Sequence, residues 1–497
     1  MTDCYLDQYL NAGLAASGNA LSAPSQRTMR GSYDAARDGT DLDGHWAHAD
    51  SYDADSANSR AVRHKLVHRS RYEAGSNGYY SGILRTHVNM TVGVGPTLRA
   101  LTGNKAFNQA MERDWFAWSQ AVQLRRKLWC MGHARAQDGE SFGLLVNNPK
   151  LDNRVQLDVL LIETEQCQTP YMPYLERGYI DGIRFDEYNN PLWYDILPYH
   201  PGSAWLFHTV DPIPVPASQV LHWFKLERPG QHRSIPDCEA TLNMGAMGRR
   251  FREATVTAAE TAASISALLK TQMAPADMDD FEPIAAGSTF DMQRRMLMAL
   301  PNGYDASQMR AEHPNAQYGE FNRSLVSEAA RPISMPYNAA ACDSSTYSFA
   351  SGKLDTLCYR SAIDVERADC NELVLDRLFA AWFREWTIVS GMRMIPSHQW
   401  DWPAHPVIDA ESEGRAVDAK LRNGTMTLRR AYSDAGQDFE DELQVMAQDF
   451  GVTVEEMRET LLKTLYPAAV PPPPPPPAPL APKDMAETDT EIEEPVA

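Results

Sequence analysis

The chain has 497 residues, 43% of them hydrophobic, which is enough to build several cores. Its formal net charge of −20 argues against a protein that wraps duplex DNA tightly, because phosphate neutralisation and counterion release by a basic face supply that affinity. The same acidity suits a conduit past which DNA slides, and it equally suits an ordinary soluble protein.

Residues 1–59 are rich in Ala, Ser, Asp and Gly with weak apolar periodicity, which predicts a loosely ordered N-terminal arm. A helical segment over 60–90 follows. Its first part is basic, with Arg60, Arg63, Lys65, Arg69 and Arg71 beside His64 and His68; it reads as a solvated helix face, or else as a contact for DNA or an acidic neighbouring subunit. From 127 to 224 short apolar runs alternate with turn residues, an α+β pattern. Strands are predicted over 155–162, 179–185 and 192–197, with a turn over 187–191.

The apolar run 220–224 predicts a strand leading into a Pro229-Gly230 turn. Pro236 is then expected in the first turn of a helix, with Ser234 as its cap. That helix is predicted over 239–269, rich in Ala and carrying Arg249, Arg250, Arg252, Glu253 and Glu260. Small side chains permit close helix approach and the charges need water, so it belongs to an assembly and not to a membrane.

Residues 271–319 are rich in Met, Pro, Gly and Asp and break sharply from the helices on either side. A helix over 321–330 ends at Pro332 and Pro336. Residues 343–351 read as a polar loop. A long amphipathic helix over 353–386 then carries Leu354, Leu357, Ile363, Val365, Leu373, Leu375, Leu378, Phe379 and Trp382. Further helices are expected over 410–422 and 428–465. Pro471 to Pro477 is an unbroken run that dictates polyproline II, and the tail beyond carries six acids against one Lys, so it reads as a stiff spacer with a disordered end.

The usual catalytic constellations do not occur. His64 and His68 have helical spacing, but Lys65 stands where a zinc protease needs Glu. Gly93-Val-Gly95 lacks the rest of a dinucleotide loop, and neither a phosphate-binding Gly-x-x-x-x-Gly-Lys-Ser/Thr nor a Gly-x-Ser-x-Gly elbow is present. The acidic run Asp401, Asp409, Glu411 and Glu413 reads as a solvated turn. No catalytic residue, cofactor or metal is expected, so any ATP hydrolysis must come from a partner. The seven scattered cysteines, odd in number and without a Cys-x-x-Cys pair, read as free thiols of a reducing compartment. The opening residues do not resemble a signal peptide, and no uncharged stretch is long and apolar enough to span a bilayer.

One block stands out: Val215-Pro-Ala-Ser-Gln-Val-Leu-His-Trp-Phe224, then Glu227-Arg-Pro-Gly-Gln-His-Arg-Ser-Ile-Pro236, then the Ala- and Thr-rich helix. Together with Gly82-Ile-Leu-Arg-Thr-His-Val-Asn-Met-Thr-Val-Gly-Val-Gly95, the segment Trp115 to Ser119, Gln137-Asp-Gly-Glu-Ser-Phe142, Gly182-Ile-Arg-Phe-Asp186, Asn189-Asn-Pro-Leu-Trp-Tyr194 and His200-Pro201, it resembles the lambda-like portal proteins of tailed bacteriophages. Met335-Pro-Tyr337, Asp343, Tyr347-Ser348, Ala350-Ser351, Trp402-Pro403, Ile408-Asp409, Asn423-Gly424 and Gly436-Gln-Asp438 continue the ordered series, so the resemblance covers roughly 60–450. Ser334 stands where the family has Gly, and Ser351-Gly-Lys353 replaces its Ala-Arg.

The resemblance implies an α+β portal fold with long helices around a central channel. It implies a wing over 60–235 with 353–400, a stem helix over 236–270, a clip over 271–319, a second stem helix and channel loop over 320–352, and a crown over 401–465, followed by the Pro-rich acidic tail over 466–497. It further implies a homo-oligomeric, dodecameric ring in the virion, at one capsid vertex, assembled in the host cytoplasm. The ring would be the conduit for packaging and ejection of double-stranded DNA, contacted without sequence preference, and would dock the terminase large subunit, the head-tail adaptor, and the major capsid and scaffold proteins, with no membrane involved. The residues expected to face DNA are Asn338, Asp343, Ser344, Ser345, Thr346, Ser348, Ser351 and Lys353; hydroxyls with a single carboxylate can guide a phosphate backbone without holding it. Two other readings are a non-portal subunit of a DNA-packaging or nuclease complex, and a cytosolic scaffold that oligomerises without DNA.

Overall fold

The computed structural model describes residues 49–169, 178–204, 211–264, 268–271, 304–307, 318–388, 394–406 and 409–466. Residues 1–57 form one unit, described only from 49 and holding a single helical turn at Ala54–Ala57; the predicted arm otherwise lies outside the described residues. Everything that follows concerns the second unit, 58–497.

The helix predicted over 60–90 is two helices, α1 (Arg60–Ser76) and α2 (Gly78–Thr91), separated by Asn77 in extended conformation. α2 unwinds after Thr91 into Gly93 and Gly95, both with positive φ, which glycine adopts at little cost. β1 (Thr97–Ala100) leads to α3 (Lys105–Ala121), capped by the Asn104 side chain, which accepts from the Phe107 N–H at 3.2 Å. α4 (Leu124–Asp138) stops at Gly139, whose φ of 91° is left-handed.

β2 (Glu140–Asn147) is the middle of a three-stranded antiparallel sheet, between β3 (Leu157–Ile162) and β8 (Val220–Phe224). The run 179–185, read as one strand, is a hairpin. β4 (Tyr179–Ile180) and β5 (Ile183–Phe185) turn at Asp181-Gly182, both at positive φ, and an Asp-Gly pair is itself a hairpin signal. β6 (Pro191–Ile196) and β7 (Ile213–Pro216) complete that four-stranded sheet. Phe142, Ile183, Tyr194, Ile196 and Val220 pack between the two sheets.

Pro236 does not open a helix. It sits in a turn whose carbonyl accepts from the Glu239 N–H at 3.1 Å, a 3₁₀ turn spans Glu239–Thr241, and α5 begins only at Leu242, so Ser234 is no cap. α5 also stops earlier than predicted, at Ser264; Leu268–Thr271 is instead β9, antiparallel to β10 (Tyr304–Ser307). That ladder sets the start of the excursion against residues 304–307 within it, and most of the excursion lies outside the described residues. α6 (Tyr318–Ala330) runs into a 3₁₀ turn, Arg331–Ile333, containing Pro332, and ends at Ser334 with φ of 56°. Left-handed backbone is where glycine is favoured, so the family's Gly at this step has a conformational reason that Ser334 meets with some strain.

After α7 (Tyr337–Ala341), α8 (Phe349–Cys370), a π turn at Asn371–Leu375 and α9 (Asp376–Trp386) form one unbroken helical run. The apolar residues of this run split. Ile363, Leu375, Leu378, Phe379 and Trp382 are buried, whereas Leu354, Leu357 and Val365 face outward. The π turn adds a residue to the helical repeat and so changes which face points inward. The buried half meets α3 and α4 in an aromatic core: Trp115 stands edge-on to Trp382 with centroids 5.3 Å apart, and the Trp118 indole donates to the Leu157 carbonyl at 2.8 Å.

β11 (His398–Asp401) returns to pair with β1. α10 (Ala410–Arg422) follows as predicted, but the segment 428–465 is three helices: α11 (Leu428–Asp434), α12 (Phe439–Phe450) and α13 (Val454–Leu465). Gly436 and Gly451 break them at positive φ, and Asp438 and Thr453 cap the helices that follow. Among the described residues no helix is long and apolar enough to cross a membrane.

Candidate functional site

The polar segment between α6 and α8 is shorter and more ordered than the sequence suggests. Asn338 lies in α7, Ser348 is the N-cap of α8, Ser351 closes a capping box with it, and Lys353 is already inside the helix. The loop proper is Cys342 to Tyr347, with Ser344, Ser345 and Thr346 exposed. Asp343 folds back: its carboxylate accepts from the Ser345 N–H at 2.9 Å and from the Tyr337 hydroxyl at 3.5 Å. The Ser345 backbone bond, first among these contacts, holds the Asp343 carboxyl below its ordinary range.

Arg323 of α6, which nothing in the sequence marked, is the other anchor. Its guanidinium bonds the Thr346 hydroxyl and lies over the rings of Tyr337 at 4.6 Å and Tyr347 at 5.6 Å. The pairing depends on a loop folding back over a helix that precedes it, so no local spacing could reveal it.

The five charged residues of α5 divide in two. Arg249 pairs with Glu73 at 3.0 Å and covers the Tyr72 ring, while Arg252 donates to Asn77 at 3.2 Å and Asn322 at 3.3 Å. These two fasten α5 to α1 and α6. Arg250, Glu253 and Glu260 are exposed. The loop and the α5 residues do not converge, but α6 touches both, through Asn322 on one side and Arg323 on the other.

The basic start of α1 corrects the sequence reading most sharply. Lys65, His68 and Arg69 are solvated as expected, but Arg63 is 1% exposed and pairs with Asp181 and, at 3.6 Å, with Glu140. Arg71 forks onto Asp138 at 2.9 and 2.8 Å and onto Glu165 at 2.8 and 3.0 Å. Arg63 is thereby withdrawn from DNA or a neighbour, and Arg71 is engaged by carboxylates of its own chain. Likewise Asp401, read as part of a solvated turn, is buried on β11, where it accepts from Arg99 at 3.0 Å and from the Ser433 hydroxyl at 2.6 Å; Asp409 caps α10, and Glu411 is exposed.

His87, Asp237 and Glu366 approach one another closely enough to hold a metal. Arg135 fills the charge requirement there, donating to Asp237 at 2.5 Å and Glu366 at 2.7 Å. Burial first, and then the Arg135 charge, push the His87 imidazole down to about 3. A folded value below the unfolded 6.5 means that the unfolded chain takes up the proton first, so stability from neutral His87 is lost as pH falls below about 6.5. We expect wild type to lose about 1.4 kcal/mol per pH unit relative to His87→Gln between about pH 6 and 4. Denaturant midpoints of both proteins across that range check this; parallel curves would refute it.

Comparison with curated proteins gives no match. Among solved structures the chain is similar to "Virion of native gene transfer agent (GTA) particle", at 12% identity and TM-score 0.41 over 75% of this chain and 93% of that one. It is also similar to "Neck of native GTA particle computed with C12 symmetry", at 14% identity and TM-score 0.43 over 74% and 92%, and to "Neck of empty GTA particle computed with C6 symmetry", at 13% and 0.42 over 75% and 93%. The family model described as "Phage portal protein, lambda family" matches residues 41–367, most of the 497-residue chain and the span that holds α1 to α6, the three-stranded and four-stranded sheets and the 342–347 loop. The chain therefore belongs to the lambda family of phage portal proteins.

Proposed function

We propose that copies of this portal protein close into a dodecameric ring at one capsid vertex, through which double-stranded DNA is packaged and later ejected. The family match over 41–367 carries this reading. The surface supports it. α5 leaves Met247, Phe251 and Val256 in water, and α8 leaves Phe349, Leu354, Leu357 and Val365. Apolar stripes of this kind are what a head-to-tail interface covers when it closes a ring. Electron microscopy of purified protein is expected to show annuli with an open axial channel; a monomer without rings under all assembly conditions would refute it.

In this reading 60–235 with 353–400 forms the wing, α5 and α6 the stem, 271–319 the clip and 401–465 the crown. Terminase and head-tail adaptor dock at the clip, and capsid and scaffold proteins surround the ring. The 342–347 loop and Lys353 face the moving duplex, where hydroxyls make transient phosphate contacts and Lys353 supplies a cation. Lys353→Glu, and separately deletion of Ser344 to Ser348, should leave rings intact but lower packaged DNA per particle by about tenfold, because a phosphate contact becomes a repulsion or disappears. Normal packaged length in both variants would overturn the loop assignment.

A further inference from the structure

The Pro-rich acidic tail has no part in the channel reading, yet the surface of the second unit carries a groove that suits it. Val94, Leu98, Trp115, Phe116 and Trp400 line a cleft of about 540 Å³. On its lip Phe116 is 60% exposed and Val94 63%, large values for residues so close to the aromatic core. Aromatic-lined grooves accept polyproline II segments, whose fixed backbone loses little entropy on docking.

We propose that the chain's own segment beginning at Pro471 docks in this groove, prolines on the aromatic lip and the following acids on Arg125 and Arg126. Position supports the match. One end of the groove shares Arg99, Gln109, Glu112 and Asp441 with a neighbouring cleft that is also lined by Val454 and Arg458 of α13, the last helix before the tail. The other end shares Gln120 and Arg125 with a cleft that includes Arg126. Beyond the α13 end, which carries Arg99, Glu112 and Asp441, the groove offers the apolar Val94 and Phe116 and the basic Arg125. From Tyr466 the tail is proline first and acidic second, with Asp484, Glu487 and Asp489 after the prolines.

Charge agrees with the match. Arg125 and Arg126 are exposed, and the tail beyond Pro482 carries six acids against Lys483 alone. Reach is sufficient too. Tyr466 is held by its hydroxyl, which donates to the Leu421 carbonyl at 2.7 Å. Four linking residues at about 3.3 Å and seven prolines at about 3.1 Å extend roughly 35 Å. The whole of α13 rises only about 18 Å. The segment is thus longer than α13 and can double back past its whole length.

The test uses the full-length chain with Phe116→p-benzoylphenylalanine, irradiated and digested for mass spectrometry, with isotopically heavy and light chains mixed before irradiation. The expected cross-link joins position 116 to the stretch 471–482 within one chain. Arg125→Glu with Arg126→Glu should lower its yield about fivefold, the effect of turning two favourable charge contacts repulsive by about 1 kcal/mol in sum. Cross-links only between heavy and light chains would overturn docking in cis in favour of a neighbouring copy. No cross-link to any residue beyond Tyr466, or a yield indifferent to the charge reversal, would overturn the proposal.

Discussion

Glu140→Ala is expected to destabilise the protein by about 3–5 kcal/mol, the cost of leaving buried charges without their partner. Glu140 is fully buried at the start of β2 and is the centre of a buried polar cluster. The Arg233 guanidinium donates to both its oxygens, through Nε at 3.0 and 2.8 Å and Nη2 at 2.5 Å; Thr164 donates its hydroxyl; His222 Nε2 stands at 3.2 Å. Burial alone would raise the Glu140 carboxyl, but the Arg233 charge, the His222 and Arg233 hydrogen bonds and then the Arg63 charge hold it well below the usual range. Its contribution is therefore present above the unfolded carboxyl value and is lost only in strong acid. Chemical denaturation of Glu140→Ala beside Glu411→Ala, which removes only an exposed helical pair with Arg415, separates the two regimes; the surface change should cost no more than about 0.5 kcal/mol. Equal losses in the two variants would contradict this account.

Gly139→Ala should cost about 2–5 kcal/mol, from a left-handed backbone that alanine disfavours and from overpacking. A Cβ added at Gly139 would meet the Ile235 backbone carbonyl carbon at 2.2 Å and its oxygen at 2.3 Å, so the chain leading to α5 would have to move. Gly75, near the end of α1, provides the contrast, because a Cβ there would meet nothing within 4 Å: Gly75→Ala should be neutral or stabilising by up to about 1 kcal/mol. Denaturant midpoints of both variants decide the matter, and a Gly139→Ala protein as stable as wild type would show that the 139–235 contact is slack.

These two neighbours, with Asp138 gripping Arg71, give a physical reason for the Asp-Gly-Glu step. Each residue acts on a different partner. Asp138 secures α1, Gly139 lets the 235 backbone pass, and Glu140 neutralises Arg233 and Arg63 between the two sheets.

Much of the local structure was legible from residues alone. The strand Val220–Phe224, the α10 bounds and the proline stop after α6 follow from periodicity, capping and backbone restriction, which act within a few residues of one another. Some errors were also local. The Asp181-Gly182 turn and the Gly436 and Gly451 breaks were written in the sequence and were outweighed by apolar runs on either side. The ordered series of motifs was enough to show the portal resemblance.

Only tertiary structure decided which charges face water. Arg63 and Arg69 lie on one helix and look alike in a composition count, but one meets Glu140 and Asp181 and the other meets solvent. The partners of Arg63 are far away in sequence, and a buried arginine is tolerated only where carboxylates converge on it, a condition that no local pattern encodes. The same holds for Asp401, drawn to Arg99 by the β1–β11 pairing, and for Arg323, which becomes the anchor of the 342–347 loop only once that loop folds back over α6. The outward apolar face of α8 has the same origin: periodicity shows that an apolar stripe exists, while the packing of one chain leaves Leu354, Leu357 and Val365 for something outside it to cover.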